Sequence, residues 1–262
     1  MELSLEKNYM RRIARAIIEF DMIQPEDRIL IGFSGGKDSA FLVYVFAVLK
    51  EALPFPFEVE VVTIDLGYEG FPAGELNDFC RDVGLKHHLV PTRIKDMVQA
   101  KDPDNPCASC TYFRKGAINN FAEKYGFAKV ALAHHYDDAV VTFLMSIIYS
   151  AQIKTFQPRQ FLSRKEITII RPLVYTREKS IIEFINKIGY APIKSSCPFE
   201  KDTARARVEE VITELTRENK KVFYNLASAM REGTFMDLWP AEMSKEQIYE
   251  KQKLFWHNQL WD

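Results

Sequence analysis

Residues 29–39 read Ile-Leu-Ile-Gly-Phe-Ser-Gly-Gly-Lys-Asp-Ser, and this stretch decides the fold. An apolar strand runs directly into a turn with two adjacent glycines, and a helical pattern follows from Asp38 to Lys50. Glycine allows backbone conformations that other residues avoid, so the amide N–H groups around Gly35 and Gly36 can approach an anion closely. The helix points the positive end of its dipole at the same anion. The stretch therefore predicts a phosphate-binding turn between a buried strand and a helix.

Four polar side chains of this turn can serve a bound phosphate. Lys37 can neutralise its charge, and the hydroxyl groups of Ser34 and Ser39 can donate hydrogen bonds to it. Asp38 is a candidate Mg²⁺ ligand or a helix cap. The spacing matches neither Gly-x-x-x-x-Gly-Lys-Ser/Thr nor Gly-x-Gly-x-x-Gly, which excludes the two commonest nucleotide motifs. The simpler alternative is a helix-capping turn with a surface lysine.

Outward from the turn, apolar runs alternate with amphipathic stretches from about residue 28 to residue 190. The runs show little strict alternation, which is typical of strands buried on both faces of a parallel sheet. We predict strands at Arg28–Phe33, Glu58–Asp65, His87–Thr92, Ala128–His135 and Ile167–Leu173, with helices at Asp38–Lys50, Ala73–Val83, Thr111–Tyr125, Asp137–Tyr149 and Arg177–Ile188. The predicted fold is an α/β, doubly wound, mainly parallel five-stranded sheet.

Both ends of the chain lack this alternation of apolar runs and amphipathic stretches. A helix from Ser4 to Phe20 defines an N-terminal segment, residues 1–25, before the central domain of residues 26–200. A C-terminal helical extension, residues 201–262, begins with a helical pattern from Thr203 to about Met230. In a doubly wound sheet ligands bind at the carboxyl ends of strands, where Ser34, Asp65 and His134 fall. We therefore expect all three near a nucleotide, although an aspartate at a strand end is as often only a cap.

Composition limits the classes of protein that this chain can form. Its 262 residues are 47% hydrophobic, enough for one sizeable core. The longest apolar run, Phe41 to Leu49, is about half the length of a membrane span, and the charged N-terminus is not a signal peptide. We expect a cytoplasmic protein without a membrane partner. With 35 basic and 36 acidic residues, any binding to nucleic acid must come from local patches.

The cysteines offer a candidate metal centre. Cys107 and Cys110 form a C-x-x-C pair before a predicted helix, and Cys197 follows the fifth strand, so three thiolates could converge. The pair alone fits a redox dithiol, half of a zinc site or a helix cap equally. Cys80 lies among apolar helix residues and is predicted to be buried and inert. Without it, a zinc site needs a histidine, whereas a three-cysteine iron–sulfur cluster leaves one iron open.

Several motifs in register resemble the tRNA 2-thiocytidine synthetases, the TtcA-type subgroup of the PP-loop ATP pyrophosphatases. The resemblance covers about Arg28 to Val211 and is far more specific than any single motif. Its parts are Ser34-Gly-Gly-Lys-Asp-Ser39, Cys107-x-x-Cys110 with Arg114-Lys115, Ala133-His134-His135-Tyr136-Asp137-Asp138, Ile170-Arg171-Pro172-Leu173 with Arg177-Glu178-Lys179, and Cys197.

The resemblance implies that Cys107, Cys110 and Cys197 hold a 4Fe-4S cluster and that ATP and Mg²⁺ bind at Ser34–Ser39. ATP would adenylate the C2 oxygen of an anticodon-loop cytidine in tRNA, and sulfur on the open iron would displace AMP. A cysteine desulfurase or sulfide would donate the sulfur, and a homodimer is a further expectation.

The resemblance also implies roles for other residues of these motifs. Lys37, Asp38, Asp137 and the three cysteines would be catalytic, and His134 would lie at the nucleotide. Asp137 or Asp138 could instead cap a helix, and a solvated helix face explains Arg114 and Lys115 as well as RNA phosphate binding does.

Two departures from the family pattern leave alternatives open. Ala133 replaces a glycine, and Pro198-Phe199-Glu200 with Asp202-Thr203-Ala204-Arg205 replaces the usual residues after the third cysteine. The acceptor could therefore be a tRNA uridine or a small molecule. A non-catalytic, nucleotide-binding or zinc-stabilised regulator is the third hypothesis.

Overall fold

The computed structural model describes residues 3–101, 106–193, 204–231 and 244–259. Its strands are β1 Arg28–Gly32, β2 Glu58–Asp65, β3 Lys86–Pro91, β4 Lys129–Ala131, β5 Arg159–Leu162 and β6 Ile167–Ile170. They form one sheet in the order β3-β2-β1-β4-β6-β5, parallel except for β5, which runs antiparallel to β6. The doubly wound α/β class is confirmed, but the prediction of five strands was wrong. β5 is a short edge strand with mostly exposed side chains, so it has no apolar run to detect.

Ten helices accompany the sheet in the described part of the chain. They are α1 Lys7–Glu19, α2 Lys37–Ala52, α3 Ala73–Asp82, α4 Ile94–Lys101, α5 Pro106–Lys124, α6 Tyr136–Ser150, α7 Glu178–Lys187, α8 Ala204–Glu218, α9 Val222–Ala229 and α10 Lys245–Gln259. The single C-terminal helix that we predicted is two helices, and α4 was not predicted. Helix α5 begins at Pro106, so Cys107 and Cys110 lie in its first turns and not before it.

The two faces of the sheet carry separate cores. Ile29 and Ile31 of β1 belong to the core that α1, α2 and α7 complete, whereas Leu30 belongs to the opposite core under α4 and α5. Successive strand residues point to opposite faces, and all three of these side chains are buried. A third cluster joins α6 to α8 and α9, so the start of the C-terminal extension packs directly on α6.

The strand order creates a crevice beside β1. From β1 the chain continues to β2 and β3 on one side and then returns to β4 on the other side. Ligands of open α/β sheets bind where the strand order reverses in this way, outside the carboxyl ends of the strands. None of the described helices is long and apolar enough to cross a membrane.

Candidate active site

A cavity of about 630 Å³ lies at the carboxyl ends of β1, β2 and β4. Separate parts of the chain meet there, among them the glycine turn, the end of β2 with the loop after it, helix α5, the segment from β4 to α6, and Ile193. Lining residues include Ser34, Gly36, Asp38, Ser39, Thr63, Arg114, Lys115, Ala133, His134 and Asp138. The cavity thus unites motifs that are far apart in the sequence.

The glycine turn is held in one conformation by its neighbours. Gly35 has φ +79°, and a Cβ atom there would lie 2.9 Å from Cδ1 of Ile193 and from Cδ2 of Leu76. The Gly35 carbonyl accepts hydrogen bonds from Tyr190 Oη at 2.8 Å and from Ile193 N at 3.0 Å. Only glycine therefore fits this position, for conformational and steric reasons.

The two serine hydroxyls brace the turn. Ser39 Oγ donates to the carbonyl oxygen of Gly36 at 2.9 Å, so Ser34 Oγ donates to Ser39 Oγ at 3.0 Å. Helix α2 starts at Lys37 with Gly36 as its N-cap, so no side chain caps its first amide groups. These amides are the natural anion donors of the turn. The predicted hydrogen bonds from Ser34 and Ser39 to phosphate stay a prediction.

Lys37 lies between two carboxylates. Its Nζ is 2.8 Å from Glu178 Oε1 and 3.0 Å from Asp38 Oδ2. Burial alone would lower the pKa of Lys37, but Glu178 and Asp38 together raise it. Glu178 belongs to a motif quoted above, yet its sequence position gave no sign of this contact.

Asp38 has one carboxylate oxygen to spare. Its Oδ1 is buried and has no hydrogen-bond partner among the described residues, and His135 Nε2 is 3.7 Å away. A buried carboxylate oxygen without a partner is costly, and carboxylates are the ligands that Mg²⁺ prefers. The chemistry of Asp38 therefore fits the Mg²⁺ ligand that was predicted.

His134 and His135 have different environments although they are adjacent. Burial, followed by the charges of Arg171 and Lys115, lowers the pKa of His134 to about 3, so its ring is neutral near pH 7. Its Nδ1 is buried without a hydrogen-bond partner in the described chain. His135 Nδ1 instead accepts from Asp138 N at 3.3 Å, while Asp138 Oδ2 accepts from His135 N at 2.8 Å. This reciprocal pair caps α6.

The carboxylates of Asp137 and Asp138 point to different partners. Asp137 Oδ1 lies 2.9 Å from Arg177 Nη2, and Asp137 Oδ2 accepts from Glu178 N at 2.8 Å. Asp138 lines the cavity and binds Arg205 of α8, whereas Asp137 is not among the lining residues. The catalytic role expected of Asp137 stays a prediction.

Asp65 lies beside the cavity and not on its wall. Its Oδ1 accepts a hydrogen bond from Gly67 N at 2.8 Å, while the adjacent residues Ile64 and Leu66 line the cavity. In this structure the carboxylate caps the turn after β2. Nucleotide binding by Asp65 stays a prediction.

One wall of the cavity is basic. Arg114 and Lys115 of α5 line it, and neither has a carboxylate partner among the described residues. Loss of solvent, with the charges of Arg171 and Arg114, lowers the pKa of Lys115. Arg171 is only 5% exposed, and burial lowers its pKa to about 10. The sequence motifs include Arg171 but do not predict its part in this positive region, because burial cannot be read from one arginine.

The structure describes only part of the predicted cysteine site. Cys110 is half-buried on α5, one turn before Arg114. The side chain of Cys107 and the whole of Cys197 lie outside the described residues, within which no metal-binding group of three side chains occurs. The convergence of three thiolates therefore stays a prediction. Cys80 is buried, as predicted, and burial raises the pKa of its thiol to about 12.

The described chain on either side of the segment that contains Cys197 ends at the cavity. Ile193 lines the cavity and binds Gly35, and Arg205 binds Asp138. The described residues that flank this segment thus contact the cavity or a residue that lines it, and the position of Cys197 itself stays a prediction.

Residues 5–215 match the family model of the PP-loop domain. The tRNA-cytidine(32) 2-sulfurtransferase of Geobacter sulfurreducens is 35% identical over 86% of this chain and 89% of its own length. The tRNA-cytidine(32) 2-sulfurtransferase of Geobacter metallireducens is 32% identical over 88% and 92%. In overall fold the chain is similar to the U34-tRNA thiolase NcsA from Methanococcus maripaludis, solved with its [4Fe-4S] cluster. The TM-score is 0.71 at 20% identity, covering 94% of this chain and 87% of that one.

Proposed function

Because the chain belongs to the PP-loop family, and within it to the tRNA-cytidine(32) 2-sulfurtransferases, we propose that it replaces the C2 oxygen of cytidine 32 in tRNA with sulfur. The reaction consumes ATP and forms AMP and pyrophosphate. One observation supports this proposal above the others: a single cavity carries an anion-binding glycine turn on one wall and the basic pair Arg114 and Lys115 on another.

The glycine turn acts on the departing pyrophosphate. An amide-like oxygen is a poor leaving group until it is adenylated, and adenylation requires that the bond between the α and β phosphates of ATP breaks. The amides at the start of α2 and the ammonium of Lys37 stabilise the negative charge that develops on the pyrophosphate. Asp38, through its unpartnered Oδ1, would hold Mg²⁺ on the same phosphates.

The basic wall suits an RNA substrate. The protein has a formal net charge of −1, so attraction to tRNA must come from a local surface. Arg114 and Lys115 provide two charges without carboxylate partners in the described chain, at the cavity where the cytidine must enter. His134 stays neutral there and adds no charge next to the base.

Cys107, Cys110 and Cys197 would hold a 4Fe-4S cluster. The half-buried Cys110 lies one turn from a cavity-lining residue, and the chain on both sides of Cys197 is bound to the cavity, which fits this ligand set. When bound, a cluster with three cysteine ligands supplies an open iron that can present sulfur to the activated cytidine. The sulfur would come from a cysteine desulfurase or from sulfide.

The acceptor can be tested through AMP formation. Protein purified without oxygen is incubated with ATP, Mg²⁺, sulfide and unmodified tRNA transcripts that differ only at position 32. We expect AMP and pyrophosphate with cytidine 32 and a loss of at least about tenfold with uridine 32. Equal AMP formation with uridine, or AMP formation with a metabolite and no tRNA, would contradict the assignment of cytidine.

A further inference from the structure

Glu178, at the start of α7, is the contact that joins the phosphate-binding lysine to a distant part of the fold. An ammonium group has three N–H donors. Lys37 directs them at Asp38 Oδ2 at 3.0 Å and at Glu178 Oε1 at 2.8 Å, so that one donor is left for a further acceptor. Asp38 is the next residue in the chain and moves with Lys37. The position of Glu178 therefore determines the direction of the third N–H of Lys37.

Glu178 is itself fixed by two residues. Its backbone N–H donates to Asp137 Oδ2 at 2.8 Å, and Asp137 Oδ1 is paired with Arg177 Nη2 at 2.9 Å. Asp137 lies in the first turn of α6 and Arg177 is the N-cap of α7, so this carboxylate ties the starts of two helices together. The first turn of α7 cannot shift without breaking these bonds.

The same contacts continue into the C-terminal helices. The Arg177 guanidinium lies 3.4 Å from the ring centroid of Phe223 in α9. Phe223 is 2% exposed and packs with residues of α6 and α8 in the third hydrophobic cluster. An unbroken series of contacts therefore runs from Phe223 through Arg177, Asp137 and Glu178 to Lys37.

The ion pair between Lys37 and Glu178 is not explained by its contribution to stability alone. The Lys37 and Glu178 side chains are 30% and 44% exposed, and ion pairs that are partly exposed to water add little to the free energy of unfolding. An ion pair of this kind still restricts the direction of a flexible lysine side chain. Its effect is on orientation, at the residue where orientation affects phosphate chemistry.

We propose that Glu178 is a positioning residue for Lys37, and that Asp137, Arg177 and Phe223 hold Glu178 in place so that the C-terminal helices control the alignment of the phosphate-binding lysine. The catalytic part of this proposal rests on the proposed function, whereas the structural part does not. Asp137 then affects catalysis without touching the substrate.

The structural part is tested by the mobility of the Lys37 ammonium group. The full-length protein is labelled with ¹⁵N-lysine, and the order parameter of the Lys37 Nζ group, assigned with Lys37→Arg, is obtained from ¹⁵N relaxation. The charged groups that face Lys37 are Asp38 from α2 and Glu178 from α7. We expect Glu178→Gln to lower this order parameter, and Arg177→Gln to lower it as well because Glu178 loses its fixed position. An unchanged order parameter in Arg177→Gln would overturn the proposed control by Arg177.

The matched control lies on the same helix. Glu183 of α7 pairs with Lys179 at 3.9 Å and is 59% exposed, so Glu183→Gln makes the same chemical change away from Lys37. We expect it to leave the order parameter of the Lys37 ammonium group unchanged. Thermal unfolding of each variant identifies any that fail to fold, and Arg177→Lys serves as the milder replacement if Arg177→Gln does not fold.

The catalytic part is tested by AMP formation in the presence of sulfide, with tRNA varied at saturating ATP. We expect Glu178→Ala to lower kcat about tenfold while the KM for tRNA is unchanged, because the pyrophosphate loses an oriented donor in the transition state. Glu178→Gln should recover part of this loss, since its amide oxygen still accepts from Lys37. The double variant Arg177→Gln with Glu178→Ala should be no slower than Glu178→Ala alone.

The outcomes separate this proposal from the proposed function. Wild-type kcat in Glu178→Ala, or effects that multiply in the double variant, would overturn the positioning role. A wild-type protein that forms no AMP with any tRNA would instead contradict the proposed function, and the order parameter of the Lys37 ammonium group would still decide the structural part.

Discussion

At the scale of single residues, Gly35 and Gly36 are neighbours with different requirements. Gly35 has φ +79° and no room for a Cβ atom, whereas Gly36 has φ −73° and a Cβ atom there would meet only Ser34 Oγ, at 3.5 Å. We expect Gly35→Ala to lower the free energy of unfolding by about 1–3 kcal/mol, measured by urea denaturation. Gly36→Ala should change it by less than about 0.5 kcal/mol.

Gly36 should matter for catalytic activity although it matters little for the free energy of unfolding. Gly36 lines the cavity as the N-cap of α2, where the proposed anion would bind. We therefore expect Gly36→Ala to reduce AMP formation in a protein of normal stability. A Gly36→Ala variant with full activity would argue against an anion at these amides.

His134 gives the protein a predictable response to acid. Its pKa is lowered from 6.5 to about 3 in the folded state, so between these values the unfolded chain binds the extra proton. The contribution is fully present above pH 6.5 and is lost as the pH falls toward 3. From pH 7 to pH 5 the loss amounts to about 2 kcal/mol.

His134→Asn should remove this part of the pH dependence. Between pH 7 and pH 5 the free energy of unfolding should fall by about 2 kcal/mol less in the variant than in the wild type. Urea denaturation at both pH values measures this difference. His87, whose pKa is lowered by burial, titrates in both proteins and cancels in the comparison. Equal pH dependence in both proteins would mean that folding does not lower the pKa of His134.

The residue types of the site could be predicted from the sequence, but their partners could not. The spacing of Ser34 to Ser39 indicated an anion-binding turn because glycine conformation and helix amides are local properties. The contact from Lys37 to Glu178 depends on how α7 packs beside α2. Likewise, Asp137 and Asp138 are adjacent on a helix and point about 100° apart, so only the rotation of α6 decides which one lines the cavity.

At the scale of elements, helix α5 combines the cysteine pair with the basic wall. We expect Arg114→Gln and Lys115→Gln each to weaken tRNA binding and to reduce the slope of log K against log salt by about one, because each removes a phosphate contact. Lys124→Gln, on the exposed end of the same helix, is the control. Filter binding at several salt concentrations measures all three. A selective rise in the KM for ATP would instead assign these charges to the nucleotide.

Secondary-structure elements were predictable where burial left a pattern in the sequence. Strands β1 and β6 and helix α2 are largely apolar because both of their faces are covered, and β2 buries four consecutive residues from Val61 to Ile64. Helix α4 buries only Ile94 and Val98, too few for a helical period, and β5 buries almost nothing. The start of α5 was missed because Pro106 was not recognised as a first helical residue.

At the scale of the whole molecule, the strand order creates the site. Alternating strands and helices predicted a doubly wound sheet, and the positions of Ser34 and His134 after strands predicted a common edge. The sequence could not show that β4 lies directly beside β1, which brings the residues after both strands into one cavity. Nor could a net charge of −1 reveal a local basic wall.

The cysteine site makes a prediction for the complete protein. Anaerobically purified protein should contain about four irons per chain, and Cys110→Ser or Cys197→Ser should lose most of them. Cys80→Ala is the control, because this buried cysteine lies in the core and should leave the iron content unchanged. Iron and acid-labile sulfide analysis decides the question, and a zinc-loaded wild-type protein would contradict the cluster.

The most direct measurement is mass spectrometry of nucleosides from tRNA after reaction with the anaerobically purified protein, ATP, Mg²⁺ and sulfide. The proposed function predicts 2-thiocytidine at position 32, formed only when ATP is present and lost in Lys37→Ala. A thiolated uridine in its place, or AMP released without any thionucleoside, would contradict it.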